Sequence, residues 1–393
     1  MTIEQCLARI DARDEQVHAW CHLDRAAHGG PGPLAGLVGG IKDVVDVAGM
    51  PTTHGSPIYA GAIAARDAEA VARLRAAGAV ILGKTVTAEF ATYQPGPTVN
   101  PRKPGHTPGG SSSGSAAAVA DGQADFALGT QTAGSMIRPG AFCGTLAFKP
   151  SFGRYPLAGV LETSPSLDTL GVFASRLPVL AAVDAVIAGD DALPDPRRPL
   201  TVGLCRMPEW REASAEMQQA LIDYGARLAA AGLAVVDVEL PEPFQRLGAA
   251  QTLIHRHEAA LAMGYIRRDH PDRVSDAFKA MIDAGAADSD ADYRAARALQ
   301  EECRDLIDAA FAGVDVLVAP GAPGAAPEGI DATGNPVFQR IWTAVGTPCL
   351  GFPAAWRADG LPLGLQAIAR PSEDRQLLAD APSLLAHAEL REP

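Results

Sequence analysis

Residues 109–115 have the sequence GGSSSGS, and residues 129–135 have the sequence GTQTAGS. Each cluster places serine among glycines, which let the backbone turn sharply and leave room for a substrate beside the main chain. The intervening chain predicts a small-residue helix over 113–120 and a strand over 125–128. A serine at the end of such a loop, just before a helix that opens at Met136, exposes its hydroxyl and lies beside amides that point to one spot.

Helix and strand patterns alternate along the rest of the chain, with no internal repeat and no linker that would separate domains. Apolar spacing predicts further helices over 3–23, 67–77 (with Asp67 as N-cap), 136–142, 213–231, 293–311 and a last one that ends at Leu390. Short apolar runs predict strands over 79–82, 200–205, 233–240, 314–319 and 363–368. This alternation predicts an α/β fold with a mostly parallel, buried sheet.

The composition is that of an ordinary globular protein, with 47% hydrophobic and 20% charged residues. The net charge is −13 without a basic stripe, so nucleic acid and anionic membranes are not expected partners. The N-terminal segment lacks the apolar stretch of a signal peptide, and no apolar run is long enough to span a bilayer. The six cysteines form no CxxC pair, which indicates reduced thiols and predicts a cytoplasmic location.

The glycine- and serine-rich clusters have three interpretations on residue pattern alone. Nucleophilic chemistry, phosphate binding and a purely structural loop all use such stretches. The P-loop pattern GxxxxGK[ST] is absent, and residues 110–114 do not follow a convincing strand, as a dinucleotide-binding GxGxxG would. These observations disfavour phosphate binding without deciding between the other two.

A serine nucleophile needs a base, because its hydroxyl is weakly nucleophilic at its ordinary pKa. No histidine lies in a GxSxG or HGGG context. We expect four of the nine histidines in loops or at the surface: His54, His106, His255 and His257. Lys42 is the better candidate, since its neighbours are mostly apolar and desolvation disfavours the ammonium form. The competing interpretation is that Lys42 pairs with Asp43 or another carboxylate.

Three segments resemble the amidase signature family. Residues 33–56 (PLAGLVGGIKDVVDVAGMPTTHGS) resemble its catalytic-lysine segment, and residues 109–154 (GGSSSGSAAAVADGQADFALGTQTAGSMIRPGAFCGTLAFKPSFGR) its serine-rich signature. Residues 360–370 (GLPLGLQAIAR) resemble its C-terminal strand. The resemblance covers most of the chain and is weakest over 185–300. It implies the amidase signature fold, a central mixed, mostly parallel twisted sheet covered by helices on both faces.

By this resemblance, Lys42 matches the general base, Ser111 the bridging serine and Ser135 the nucleophile of a Ser–cis-Ser–Lys triad. A cis peptide bond is expected between Gly110 and Ser111. Four backbone amides would form the oxyanion hole, those of Thr132, Ala133, Gly134 and Ser135. The resemblance therefore implies hydrolysis of an amide C–N bond through an acyl-enzyme, with no metal or organic cofactor.

Three positions depart from the common family pattern. Many relatives carry Asp where this chain has Gln131, and Gly where it has Ala133. Gln131 removes a possible charge near the site, which alters either substrate preference or only a structural hydrogen bond. Arg138 lies three residues after Ser135 rather than two. That spacing resembles the malonamidases of the family, in which the arginine binds the free carboxylate of the substrate. The alternative for Arg138 is a structural ion pair within its helix.

We therefore predict one amidase signature domain over residues 1–393, with a core over 30–185 and 310–393 and an elaboration over 186–309. The expected substrate is a short carboxylated amide such as malonamate. Another small amide, a carbamate or a urea-like compound is the alternative within the class. A glutamine-dependent amidotransferase subunit, which would need partner subunits, is the alternative from a different class. The resemblance also implies a homodimer.

Overall fold

A computed structural model of the chain describes residues 1–190 and 192–391. The strands of these residues form one sheet. Their bounds are β1 (Trp20–Leu23), β2 (Val38–Lys42), β3 (Val80–Thr85), β4 (Phe126–Gln131), β5 (Leu146–Lys149), β6 (Thr169–Ala174), β7 (Thr201–Cys205), β8 (Ala234–Val238), β9 (Val316–Pro320), β10 (Cys349–Trp356) and β11 (Pro362–Ile368).

Helices flank this sheet. Their bounds are α1 (Ile3–Val17), α2 (Glu69–Ala76), α3 (Ser113–Ala120), α4 (Ile137–Cys143), α5 (Leu177–Ala188), α6 (Ala215–Ala230), α7 (Phe244–Asp269), α8 (Asp276–Ala287), α9 (Asp290–Asp305), α10 (Ile307–Ala310), α11 (Arg340–Val345) and α12 (Asp374–Leu385). Among the residues described, no helix has both the length and the apolar character needed to cross a bilayer.

The sheet contains 11 strands in the order β1-β3-β2-β4-β6-β5-β10-β11-β9-β7-β8. Two groups of three strands are parallel within themselves, β3-β2-β4 and β9-β7-β8. The strands between these groups pair antiparallel, and β1 is antiparallel to β3 at one edge. The predicted amidase signature fold, a mixed sheet flanked by helices, is thus confirmed; of the ten strand pairs described, four are parallel and six are antiparallel.

The first predicted helix is too long. It begins with a capping box at Thr2, as a helix start should, but ends at Val17 instead of continuing to Leu23. His18 adopts the left-handed conformation (φ 53°, ψ 48°), which stops the helix, and its N–H donates to the Asp14 carbonyl. The apolar residues that follow belong to β1, which pairs with β3. Helical spacing alone could not separate these residues from the helix.

Other helix ends also differ from the prediction. Asp67 is not the N-cap of α2, because its carboxylate accepts from the Ala48 amide and pairs with Arg75. The helix predicted over 293–311 is divided at Leu306, where ψ is 3°, into α9 and α10. The last helix ends at Leu385 rather than Leu390. In the first two cases a tertiary contact or one backbone angle overrides the local pattern.

The segments that carry the serine clusters lie at the centre of the molecule. All eight residues of α3 and all seven residues of α4 are buried.

Strands β7 and β8 belong to the predicted elaboration, yet they extend the same sheet through the β9–β7 pair. This continuity supports the single-domain interpretation, which stays a prediction.

The close packing of α3 predicts the effect of a methyl group at Gly114. A Cβ there would lie 2.2 Å from the Ala19 carbonyl oxygen and 2.4 Å from the Val86 amide nitrogen, both backbone atoms. Gly114→Ala should lower the free energy of unfolding by about 2 kcal/mol or more, measured by urea denaturation. Gly264→Ala in α7 is the control, since its Cβ would meet nothing within 4 Å. It should stabilise by about 0.5–1 kcal/mol. Equal effects would contradict this account of the packing.

Candidate active site

Lys42 is the last residue of β2 and is completely buried. Its Nζ donates to Ser111 Oγ over 2.8 Å and to Thr130 Oγ1 over 2.7 Å. Because β2 pairs parallel with β4, Lys42 and Thr130 lie at the same edge of two neighbouring strands. In the described residues, Lys42 makes no ion pair with a carboxylate. An amine held only by hydroxyl groups can lose its proton at a modest cost.

Burial lowers the pKa of Lys42 well below its ordinary value, and the negative charge of Asp168 opposes that shift. The interpretation in which Lys42 pairs with Asp43 is wrong. Asp43 instead pairs with Lys84, whose Nζ lies 3.2 Å from its carboxylate, and accepts hydrogen bonds from Thr53. The two adjacent charged residues of this segment therefore have separate partners.

Ser111 follows a cis peptide bond after Gly110, as the family resemblance implied. The cis bond is preceded by Gly109 in a left-handed conformation (φ 82°). The Gly110 carbonyl accepts a hydrogen bond from Arg138 Nη2 over 2.6 Å. In this arrangement the Ser111 hydroxyl accepts the hydrogen bond from Lys42.

Ser135 lies in the turn between β4 and α4. We call residues 132–135, which form this turn, the oxyanion loop. Within the described chain, the amides of Ala133, Gly134 and Ser135 donate to no protein acceptor. Ser135 is 9% exposed, against 1% for Ser111, so it is the serine that a substrate can reach. No hydrogen bond joins Ser135 to Ser111 in the residues described, so the structure shows the first link of the predicted relay and not the second.

Gln131 has a structural role. Its Oε1 accepts from the amides of Met136 and Ile137, over 2.9 and 3.1 Å, and its Nε2 donates to Thr343. The side chain is completely buried and satisfies the first amides of α4. Of the two interpretations left open for Gln131, the structural hydrogen bond is the one observed.

Arg138 is buried and forms no ion pair in the described part of the chain, so the structural ion pair considered for it is not found. Its Nη2 donates to the Gly110 carbonyl and to Thr333 Oγ1. Its Nε and Nη1 are buried without a partner. Burial lowers the pKa of Arg138 to about 9, with the nearby charge of Arg340 acting in the same direction. The guanidinium is thus a buried cation without an anion.

A cavity of about 80 Å³ lies beside β4 and the oxyanion loop. Thr130, Thr132 and Asp168 provide polar groups on its wall, and Leu157 and Val160 are among the apolar ones. The Asp168 carboxylate accepts hydrogen bonds from Thr132 Oγ1 (2.5 Å) and from the Ser164 amide (2.8 Å), so it ties the oxyanion loop to the cavity wall. Lys42, Ser111, Ser135 and Arg138 are not among the residues that line this cavity.

The predicted location, in a loop or at the surface, is wrong for two of the four histidines. His255 and His257 lie on α7 and are buried, whereas His54 and His106 are in a turn and a loop as expected. Burial lowers the pKa of His255 to about 4, so this imidazole is neutral near pH 7. No hydrogen bond links these histidines to the candidate serines in the described residues.

Sequence reasoning missed Thr130 and Asp168. Thr130 lies in the same GTQTAGS run as Ser135, so alternation along β4 from Thr132 could have marked it as facing the site. Asp168 gave no such signal, because its contacts with Thr132 and the 163–164 amides depend on the pairing of β4 with β6.

Known proteins resemble this chain over most of its length. The Amidase family model matches residues 2–378 of the chain. The chain belongs to the amidase family. A curated relative of this amidase, a glutamyl-tRNA(Gln) amidotransferase subunit from Synechococcus sp. (strain RCC307), is 32% identical over 96% of this chain and 87% of its own length.

Two solved structures resemble this amidase over nearly its whole length. A crystal structure of an amidase superposes with a TM-score of 0.90 at 30% identity, covering 99% of this chain and 97% of the other. A chain from a vestigial protein complex that reveals the evolutionary origins of an s-triazine catabolic enzyme gives 0.89 at 27% identity, covering 99% and 95%. The family match and the amidase structure make this chain an amide-hydrolysing enzyme. The comparisons thus show the amidase family and do not show the finer resemblance to malonamidases.

Lys42 and Lys84, two of the three buried lysines in the described residues, have different partners, which predicts different costs of replacement. Lys84→Met would leave the buried Asp43 carboxylate without its cation and should cost about 3–5 kcal/mol of unfolding free energy. Lys42→Met leaves two hydroxyls without the amine and should cost about 1 kcal/mol or less. Urea denaturation of both variants at pH 7 would measure the difference. Similar losses would mean that Lys42 also compensates a buried charge.

Proposed function

We propose that this amidase hydrolyses a small amide through an acyl-enzyme on Ser135, with Ser111 as proton relay and Lys42 as base. The observation that carries the proposal is the fully buried amine of Lys42, which is hydrogen-bonded to the Ser111 and Thr130 hydroxyls and to none of the carboxylates that the structure describes. Because its pKa is lowered, the amine can be neutral and accept a proton. A lysine with an acidic partner would remain an ammonium ion.

The reaction begins when Ser135 Oγ attacks the amide carbonyl carbon. The Ser135 proton moves to Ser111 as the Ser111 proton moves to Lys42. The link between the two serines forms on substrate binding, since catalytic hydrogen bonds are often long in an empty site. The amides of the oxyanion loop donate hydrogen bonds to the developing oxyanion, and Asp168 favours the transient ammonium of Lys42.

Collapse of the tetrahedral intermediate breaks the C–N bond, and the relay returns the proton from Lys42 through Ser111 to the leaving nitrogen. The amine or ammonia departs and leaves an ester on Ser135. Water then attacks this ester, with Lys42 again receiving a proton through Ser111. The acid is released, and the hydroxyl of Ser135 is restored.

We further propose a short carboxylated amide of the malonamate type as the substrate. The support is Arg138, which lies three residues after Ser135 and has two buried N–H groups without a partner. A carboxylate could accept a hydrogen bond from Nη1 or from Nε, which point in different directions on the guanidinium, and would supply the missing anion. Another small amide, a carbamate or a urea-like compound is the alternative if Arg138 has only its structural bond to Gly110.

The similarity to amidotransferase subunits supports a second candidate, a glutamine-dependent amidotransferase subunit. Such a subunit would release ammonia from glutamine and would act with partner chains. Glutaminase activity that appears only when partner subunits are added would favour it. A homodimer and a cytoplasmic location also stay proposals, the second supported by the six free cysteines.

The role of Lys42 predicts how activity depends on pH. A base must be unprotonated, so kcat/KM should fall as pH decreases through the pKa of Lys42, which lies below that of an ordinary lysine. Lys42→Arg should lose about 10²- to 10⁴-fold in kcat/KM at every pH, because a guanidinium stays protonated. Lys103→Arg, at a partly exposed lysine paired with Asp359, is the control. Retention of the same acid limb in Lys42→Arg would exclude Lys42 as the base.

A pair of substrates that differ by one charge tests the role of Arg138. Wild type should hydrolyse malonamate in preference to malonamide, and Arg138→Met should reduce the ratio of their kcat/KM values about 10- to 100-fold. Arg102→Met is the control, since its guanidinium also donates to a carbonyl, that of Cys143. An unchanged ratio in Arg138→Met would make Arg138 purely structural.

The same panel, extended to glutamine, a carbamate and a neutral aryl amide, tests the alternatives. Ser135→Ala should abolish hydrolysis of every member that wild type cleaves. Undiminished activity in Ser135→Ala would contradict the acyl-enzyme itself.

A further inference from the structure

The carbonyl groups of the oxyanion loop are hydrogen-bonded on the side opposite its free amides. Three successive carbonyls accept hydrogen bonds: Thr132 from Gln251 Nε2 (2.9 Å), Ala133 from Thr343 Oγ1 (2.8 Å) and Gly134 from the Arg138 amide (3.0 Å). In a trans peptide unit the C=O and N–H bonds are rigidly coplanar and point in opposite directions. Each anchored carbonyl therefore fixes the direction of the next amide, from Ala133 to Ser135.

Two of these anchors come from distant parts of the chain. Gln251 lies on α7, within the segment where the family resemblance is weakest, and Thr343 lies on α11. Both side chains are buried, with exposures of 1%. The third anchor, the Arg138 amide, is local and belongs to the first turn of α4. The direction of the Ala133 and Gly134 amides thus depends on how α7 and α11 pack against the loop.

Gln131 determines which way the Thr343 hydroxyl points. Its Nε2 donates to Thr343 Oγ1 over 2.9 Å. Its Oε1 accepts hydrogen bonds from the Met136 and Ile137 amides, which fixes the orientation of the carboxamide. Thr343 Oγ1 accepts from Gln131 and has one proton to give, which goes to the Ala133 carbonyl. A carboxylate at position 131 would take that proton itself.

We propose that Thr343 and Gln251 are positioning residues of the reaction, which aim the Gly134 and Ala133 amides at the oxyanion. Neither residue needs to touch the substrate. The inference rests on the proposed acyl-enzyme chemistry at Ser135. Because charge develops on the carbonyl oxygen only on the way to the tetrahedral intermediate, losing an anchor should lower kcat and leave KM nearly unchanged.

The first test compares two buried threonines. Thr343→Val keeps the shape of the side chain and removes the donor to Ala133. Thr347→Val is the matched control, since its hydroxyl donates to the Trp342 carbonyl and not to the loop. With the best substrate of the panel, Thr343→Val should lower kcat about tenfold or more, up to the 10²- to 10³-fold that loss of an oxyanion donor costs. Thr343→Ser, which restores the hydroxyl, should recover most of the activity.

A second pair of variants tests the other anchor. Gln251→Met removes the donor to Thr132 and should also lower kcat with KM unchanged. Gln300→Met is its control, because Gln300 is equally buried and its Nε2 donates to the Ala344 carbonyl on α11. Urea denaturation of all variants would show whether the fold is retained. If one of the two anchor variants does not fold, the comparison uses the variant of the other anchor.

An aldehyde analogue of the substrate provides a readout that a general structural defect would not give. It forms a tetrahedral adduct with Ser135, so its inhibition constant should rise in Thr343→Val by about the same factor as kcat falls, whereas a non-covalent amide analogue should bind unchanged. Equal kcat values in Thr343→Val and Thr347→Val, with Gln251→Met also like its control, would overturn the inference. Full activity in Ser135→Ala would instead overturn the proposed function beneath it.

Discussion

The amine of Lys42 lies at the end of β2 between the hydroxyls of Ser111 and Thr130, and no carboxylate of residues 1–190 or 192–391 is bound to it. An ammonium ion in such a place loses its hydration without gaining an anion, which is why burial lowers its pKa. The pKa of Lys42 stays low only if the nearby carboxylates are bound to other partners. Asp43, the next residue, pairs with Lys84. The Asp168 carboxylate accepts hydrogen bonds from the Thr132 hydroxyl and from the amides of residues 163 and 164.

The two serine clusters are joined physically by Arg138. Its backbone amide donates to Gly134 in the oxyanion loop, and its guanidinium donates to the carbonyl of the cis peptide at Gly110. A displacement of α4 would therefore move both candidate serine loops together. The same guanidinium keeps two N–H groups unpaired, so structural and ligand-binding roles are compatible within one side chain. This dual use explains why an ion pair within α4 is not needed to hold the arginine.

Much of the fold could be predicted from residue pattern, and the failures have identifiable causes. The α3 helix was predicted with its observed bounds, because eight small residues between a serine cluster and Asp121 leave little choice. The first helix was predicted too long, since one left-handed residue, His18, ends it where the apolar pattern continues. His255 and His257 were expected at the surface, but α7 packs them inside, and this packing involves helices that local sequence does not specify.

By itself the sequence determined the family, through the serine-rich and lysine segments, and it singled out Lys42, Ser111, Ser135 and Arg138. Those assignments depend on short motifs, whose residues are neighbours in the sequence whatever the rest of the fold. Only the tertiary structure decided that Lys42 contacts Thr130 rather than Asp43, and that Gln251 and Thr343 support the oxyanion loop. These contacts join residues 88 to 210 positions apart. A hydrogen bond requires its two atoms to lie within about 3 Å, and for residues so far apart only the packing of the sheet and helices brings them that close.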